Sequence, residues 1–152
     1  MSELSDAALG ALRSALGAEN AAVWVYGLSS AYVTESRVKS ALDEGIDEHR
    51  RHRDAAEQVL QGAGTNPPAA QPAYTLPQPV TDQRSALQSL ITAETDCEVG
   101  WRSVLENTED AGARRLALDG LTTSAARSAR WRLTIGVPAA EAFPGQPGGQ
   151  PS

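Results

Sequence analysis

Apolar residues in this chain recur at spacings of three and four rather than two. In the first thirty positions Leu9, Leu12, Leu16, Val23 and Tyr26 fall on one helical face. The same spacing returns in Val38, Leu42, Gly45 or Ile46, Ala56 and Val59 or Leu60, and again in Leu87, Leu90 or Ile91, Trp101 and Val104 or Leu105. No segment alternates with the period of a half-buried strand, so no strand is expected. Punctuation then divides the chain into four helices. The first starts at Ser5 or Asp6, either of which can cap it, and runs to about Tyr32 or Val33. The second starts in Thr34-Glu35-Ser36, with Thr34 as the expected cap, and runs to about Gln61 before Gly62-Ala63-Gly64. The third starts at Thr81-Asp82 and reaches Glu106 or Asn107. The fourth runs from Glu109-Asp110 to about Gly136, with Pro138 just beyond.

Connection lengths set the expected topology. The first and last helix pairs are joined by a few residues each, so each pair is an antiparallel hairpin. Between them, residues 65–81 carry Pro67, Pro68, Pro72, Pro77 and Pro79 and are expected to be extended. At about 3.1 Å per residue that stretch reaches about 50 Å, against about 40 Å for a helix of about 27 residues. It is long enough to return the chain to the starting end and make the second and third helices parallel. The expected fold is therefore all-α, an antiparallel four-helix bundle with a long Pro-rich crossover between helices 2 and 3, the arrangement of ferritin-like bundles. Residues 1–144 are expected to form this domain. Residues 145–152, rich in Gly, Pro and Gln, are expected to be a flexible tail, with mobility beginning beyond Phe143.

Composition narrows the function classes. Aromatic residues are 5% of the 152, and alanine is abundant, which suits closely approaching helices. The net charge of -6 argues against a nucleic-acid or anionic-membrane partner. No apolar run is long enough to span a membrane. The acidic start Met1-Ser2-Glu3-Leu4-Ser5-Asp6 is unlike a secretory signal, so a cytoplasmic location is expected. Cys97 is the one cysteine, which excludes an internal disulfide or a thiolate zinc cluster. It is expected to be a small buried apolar residue. Phosphate-binding glycine loops and serine-hydrolase elbows are absent.

Three polar residues interrupt the apolar faces at similar heights: Glu19 in the first helix, His49 in the second and Glu94 in the third. Mid-helix residues of a bundle share a layer, so two carboxylates and an imidazole are expected to converge. A lone buried carboxylate costs several kcal/mol, so each needs a proton, an ion-pair partner or a metal.

Several segments carry a resemblance: Ala18-Glu19-Asn20-Ala21-Ala22-Val23-Trp24-Val25-Tyr26-Gly27, His49-Arg50-Arg51-His52-Arg53-Asp54, Tyr74-Thr75-Leu76-Pro77, Glu94-Thr95-Asp96-Cys97 through Trp101, and Ala129-Arg130-Trp131-Arg132. Over nearly the whole chain to Pro144 it resembles an uncharacterised ferritin-like domain family of high-GC bacteria, within the ferritin-like superfamily of di-iron bundles. The resemblance implies the fold. If it also carries a metal position, the residues are Glu19, His49 and Glu94, with His52 and Glu98 as additions. Two departures from the di-iron pattern stand out. Ile46 precedes His49 by three residues and His49 precedes His52, so no Glu-x-x-His pair is present. The middle of the fourth helix, Thr122-Thr123-Ser124-Ala125-Ala126-Arg127-Ser128, offers neither carboxylate nor imidazole.

Two readings stay open. In one, the centre is degenerate, the glutamates pair with His49, Arg53, Arg127 or Arg130, and the protein is a non-catalytic homodimeric module. In the other, a single Fe, Mn or Zn ion sits mid-bundle with redox or oxygen-related activity. His49 and His52 straddle the edge of the apolar face, so one of them is expected to meet solvent. Trp24 lies one position off its face and is the expected interface anchor.

Overall fold

The computed structural model describes residues 3–139 and 143–147. Among them are four helices and no strand: α1 (Asp6–Ser30), α2 (Ser36–Gly62), α3 (Gln83–Asn107) and α4 (Ala111–Thr134). Side chains close most of the starts. Ser5 accepts from the Ala8 N–H at α1, and Asp110 accepts from Ala113 N–H at α4. Asp82 and Ser85 form a reciprocal capping box at α3. The start of α2 differs from expectation. Glu35, not Thr34, is the cap residue, and its side chain makes no capping bond. The amide oxygen of Gln83, on α3, instead accepts from the N–H groups of Thr34 and Glu35, at 3.0 and 3.2 Å. A tertiary contact has taken over a local task. At the other end of α2, Gly64 adopts φ +78°, the left-handed exit that glycine favours.

The Gln83 contact also fixes direction, because it brings the starts of α2 and α3 to one end of the bundle. They are therefore parallel, and the chain between them must travel the bundle's length. Arg84 Nη1 donates to the carbonyl of Ile135 at 2.9 Å, so α3 starts where α4 ends. Helix α1 packs on α2 and α3, and α4 packs on α3 and more sparsely on α2. The ring order α1–α2–α4–α3 leaves α2 and α3 diagonal, which is why their link is a crossover. Within it, Tyr74 lies against Trp24 of α1 with ring centroids 6.0 Å apart. Trp24, expected as an interface anchor, is thus half-buried under the chain's own crossover.

Small residues bring the helices together. Leu9 and Val23 are only half-buried, and α1 turns Ala8, Ala15 and Ala22 inward beside Leu12 and Leu16. At Gly100 of α3 a Cβ would stand 2.9 Å from the Cα of Ala15, so the two backbones meet where neither can carry more. Trp101, Trp131 and Tyr26 supply the bulk of the core. Of the expected tail, residues 148–152 lie outside the described residues. Gly145 is buried at φ +77° against the backbone of Glu98, and Arg102 Nη1 donates to the Pro144 carbonyl at 3.3 Å. No helix among the described residues is long and apolar enough to cross a membrane.

Candidate functional site

The expected convergence is present. Glu19, His49, His52, Glu94 and Glu98 are all buried, none more than 2% exposed. His49 lies between two helices' carboxylates: Nδ1 is 2.6 Å from Glu19 Oε2 and Nε2 is 2.7 Å from Glu94 Oε1. A neutral imidazole carries one N–H and can donate only once. Two carboxylates on two ring nitrogens therefore call for the doubly protonated cation. Burial pulls the His49 pKa down, but the charge of Glu94 and the hydrogen bonds to both glutamates overcome it and raise the value to about 10.

Each carboxylate then gathers a second donor. The Trp101 indole N–H donates to Glu19 Oε1 at 2.7 Å. The Tyr26 hydroxyl donates to Glu94 Oε1, and the Trp131 indole N–H donates in turn to the Tyr26 oxygen at 2.8 Å. Burial, then the Glu94 charge, push the Tyr26 pKa well up, so this phenol stays a donor. Arg127 of α4 approaches Glu94 with Nε at 4.0 Å while its Nη1 donates to the Ala41 carbonyl. Of the cations expected to pair with the glutamates, His49 and Arg127 do so. Arg53 pairs with Asp54, and Arg130 with Glu44.

His52 corrects an expectation. It was expected that one of the two histidines would face solvent, yet both are buried, because Asp119 of α4 reaches over and meets His52 Nε2 at 2.8 Å. His52 Nδ1 is 3.9 Å from Glu19 Oε1, at the edge of the network rather than inside it. Two glycines make room for the rings. A Cβ on Gly45 of α2 would collide with the Tyr26 ring, and one on Gly120 of α4 would lie 2.5 Å from the Trp101 indole.

Cys97 is buried as expected, but its position carries more than packing. Its Sγ is 4.0 Å from His49 Nδ1, and donor atoms of Glu19, His49 and Cys97 all lie within 4.8 Å of one another. Burial, reinforced by Glu19 and Glu94, raises its pKa well above the ordinary thiol value, so the sulfur is a thiol here. A lone cysteine in an apolar stripe gave no sign of this in the sequence. The indole and phenol donors were also missed. Their signal was their height: Tyr26, Trp101 and Trp131 each carry a polar tip within the layer of buried acids.

The donor set can be tested against metal. A two-metal centre does not fit. α4 brings the Arg127 guanidinium to Glu94, a cation where a second carboxylate would be needed, its Asp119 carboxylate is engaged by His52, and rings fill the space above Gly45 and Gly120. A single ion fits the chemistry better. Oxygen, nitrogen and sulfur ligands are at hand, and the buried Glu94 Oε2 has no hydrogen-bond partner among the described residues.

These geometric features sit on a bundle whose relatives can be named. The model of a domain of unknown function, DUF4439, matches residues 11–148. The chain belongs to this family. A DUF4439 chain of this kind is similar in structure to a conserved hypothetical protein, rv2844, from Mycobacterium tuberculosis. The TM-score is 0.82 at 32% identity, over 91% of this chain and 97% of that one. It is similar to a dodecameric thioferritin, the bacterioferritin-related protein of Bacteroides fragilis, with a TM-score of 0.76 at 17% identity over 88% and 87% of the two chains. A ferritin-like diiron-carboxylate protein from Bacillus anthracis gives 0.71 at 13% identity, over 88% of this chain and all of that one (100%). At such identities the last two show the fold, which is ferritin-like, and no more. A comparison with curated proteins finds no match.

Proposed function

We propose that this DUF4439 chain is a non-catalytic ferritin-like module in which a protonated histidine takes the place of a metal pair. The observation that carries the reading is His49 with both ring nitrogens at hydrogen-bond distance from buried carboxylates. In di-iron bundles the inward carboxylates share metal charge. Here the imidazolium, helped by Arg127, supplies positive charge to the same layer. Indole and phenol donors add a second hydrogen bond to each carboxylate. Such a layer fixes helix register. The module is proposed to self-associate as a homodimer in the cytoplasm. The assembled state of the thioferritin relative supports self-association in general.

The test is protein purified without chelator and with labelled histidine. Expected are less than stoichiometric metal by elemental analysis and two protonated ring nitrogens on His49 at pH 8 by nitrogen NMR. Stoichiometric metal that vanishes in His49→Ala overturns the reading. Light scattering on a sizing column tests the dimer; a monomer at micromolar concentration removes it.

A second reading has its own support in the Glu19, His49 and Cys97 donor group and the unpartnered Glu94 oxygen. In it these residues hold a single Fe, Mn or Zn ion, with His52 and Glu98 as buried neighbours. A bound ion would supply Lewis-acid or redox chemistry. The His49 ring and the Cys97 thiol must each give up a proton to become ligands. Stoichiometric binding with proton release, lost in Cys97→Ala, separates this reading from the first.

A further inference from the structure

We propose that the cleft roofed by the crossover is a binding site for a small organic amine with an aliphatic body. The cleft lies on the far side of α1 and α3 from the network and has a volume of about 270 Å³. That is near the lower end of the ~300–1,000 Å³ typical of ligand pockets, so its occupant is small. Ala21, Val25 and Ala93 form an apolar floor whose small side chains leave the space open. Tyr74 and Leu76 form the roof. Tyr74 is a fixed wall: its ring leans on Trp24, and its hydroxyl oxygen accepts from the Gln71 N–H at 3.0 Å.

The polar feature that decides the ligand is Asp96. It lines this cleft at a solvent-exposed position, and no hydrogen bond or ion pair is formed by it among the described residues. No lysine, arginine or histidine lines the cleft with it. A carboxylate set beside apolar walls and an aromatic face, with no cation of its own, is complementary to an ammonium group carrying an alkyl chain. An anionic ligand would meet like charge, and a neutral one would forgo the attraction to Asp96. A second cleft of about 240 Å³, edged by Ser85 and Gln88, shares Pro77, Ser89 and Thr92 with this one.

The experiment titrates the full chain with hexylamine, hexan-1-ol and hexanoate, followed by calorimetry and by amide NMR shifts. Hexylamine is expected to bind saturably, with hexan-1-ol about fivefold weaker, the difference being an ion pair at an exposed carboxylate. Shifts are expected at Ala21, Tyr74 and Ala93. Asp96→Asn should bring hexylamine down to the level of the alcohol, and Ala21→Leu, which fills the floor, should abolish both. Near-UV circular dichroism and the melting temperature confirm that each variant is folded. The proposal is overturned by non-saturable hexylamine binding, by equal affinity for the alcohol, by an unchanged affinity in Asp96→Asn, or by shifts confined to another surface.

Discussion

At the scale of single residues, the bundle centre is governed by the charge state of one ring. The folded His49 pKa of about 10 exceeds the ordinary 6.5, so the folded chain holds this proton more tightly than the unfolded chain does. The resulting stability is fully present below about pH 6.5 and is lost as pH rises through about 10. Denaturant titrations should therefore show stability falling between pH 7 and pH 10, and a flat profile would contradict an imidazolium centre. A second residue test removes a donor without removing bulk. Trp101→Phe strips Glu19 Oε1 of its 2.7 Å indole bond while keeping a ring in place. Leaving that carboxylate oxygen short of a partner should cost about 1–3 kcal/mol, read from urea unfolding. Most of this layer was legible in the sequence, because Glu19, His49 and Glu94 interrupt apolar faces at one height. The burial of His52 was not, because it depends on Asp119, a residue of a different helix with no sequence feature linking the two. Cys97 and the ring donors were hidden for the same reason: a residue's partner across a bundle is set by helix rotation, which period alone leaves free within a position or so.

At the scale of elements, the same freedom explains which parts of the fold could be read early. The helices and their connections follow from local signals, and the crossover follows from proline content and a length requirement. Rotation about the helix axis does not, as the inward turn of Ala8 and Ala22 in place of Leu9 and Val23 shows. The glycines make this measurable. In a helix, alanine is favoured over glycine by about 1 kcal/mol, so Gly10→Ala on the open face of α1 should stabilise by up to that amount. Gly45→Ala and Gly120→Ala should do the opposite, losing about 1–3 kcal/mol, because the added methyl displaces the Tyr26 or Trp101 ring from its hydrogen bond. Thermal melts of the three variants give the signs directly. Gly120→Ala without loss of stability would mean that the indole has room the geometry denies it. The start of α2 offers a parallel case, in which Gln83→Ala removes a cap supplied by another helix. The expected loss is about 0.5–2 kcal/mol, the ordinary range for a helix cap, with fraying confined to the α1–α2 turn in hydrogen exchange.

At the scale of the whole molecule, the question is whether the central layer holds the fold together or is tolerated by it for another purpose. A buried ion network is poor evidence of stability in itself, since apolar replacements of similar volume are often neutral or better. Breaking one member is different, because it strands the rest. His49→Leu alone leaves Glu19 and Glu94 facing an apolar side chain, and should cost about 3–5 kcal/mol or prevent folding. The triple variant Glu19→Gln, His49→Leu, Glu94→Gln removes the three charges of the histidine and its two glutamates together, keeps amide oxygens for the Trp101 and Tyr26 donors, and leaves Arg127 its bond to the Ala41 carbonyl. If the layer is a self-contained structural device, the triple variant should recover most of the stability lost by the single one. The non-additivity would be the signature of groups acting as a unit. Comparing urea midpoints of the single and triple variants checks this, with chelated and metal-supplemented buffers run side by side. A triple variant as unstable as His49→Leu would mean that the layer contributes something charge removal cannot replace. A melting temperature that rises with metal in the parent and not in the triple variant would place that contribution in an ion.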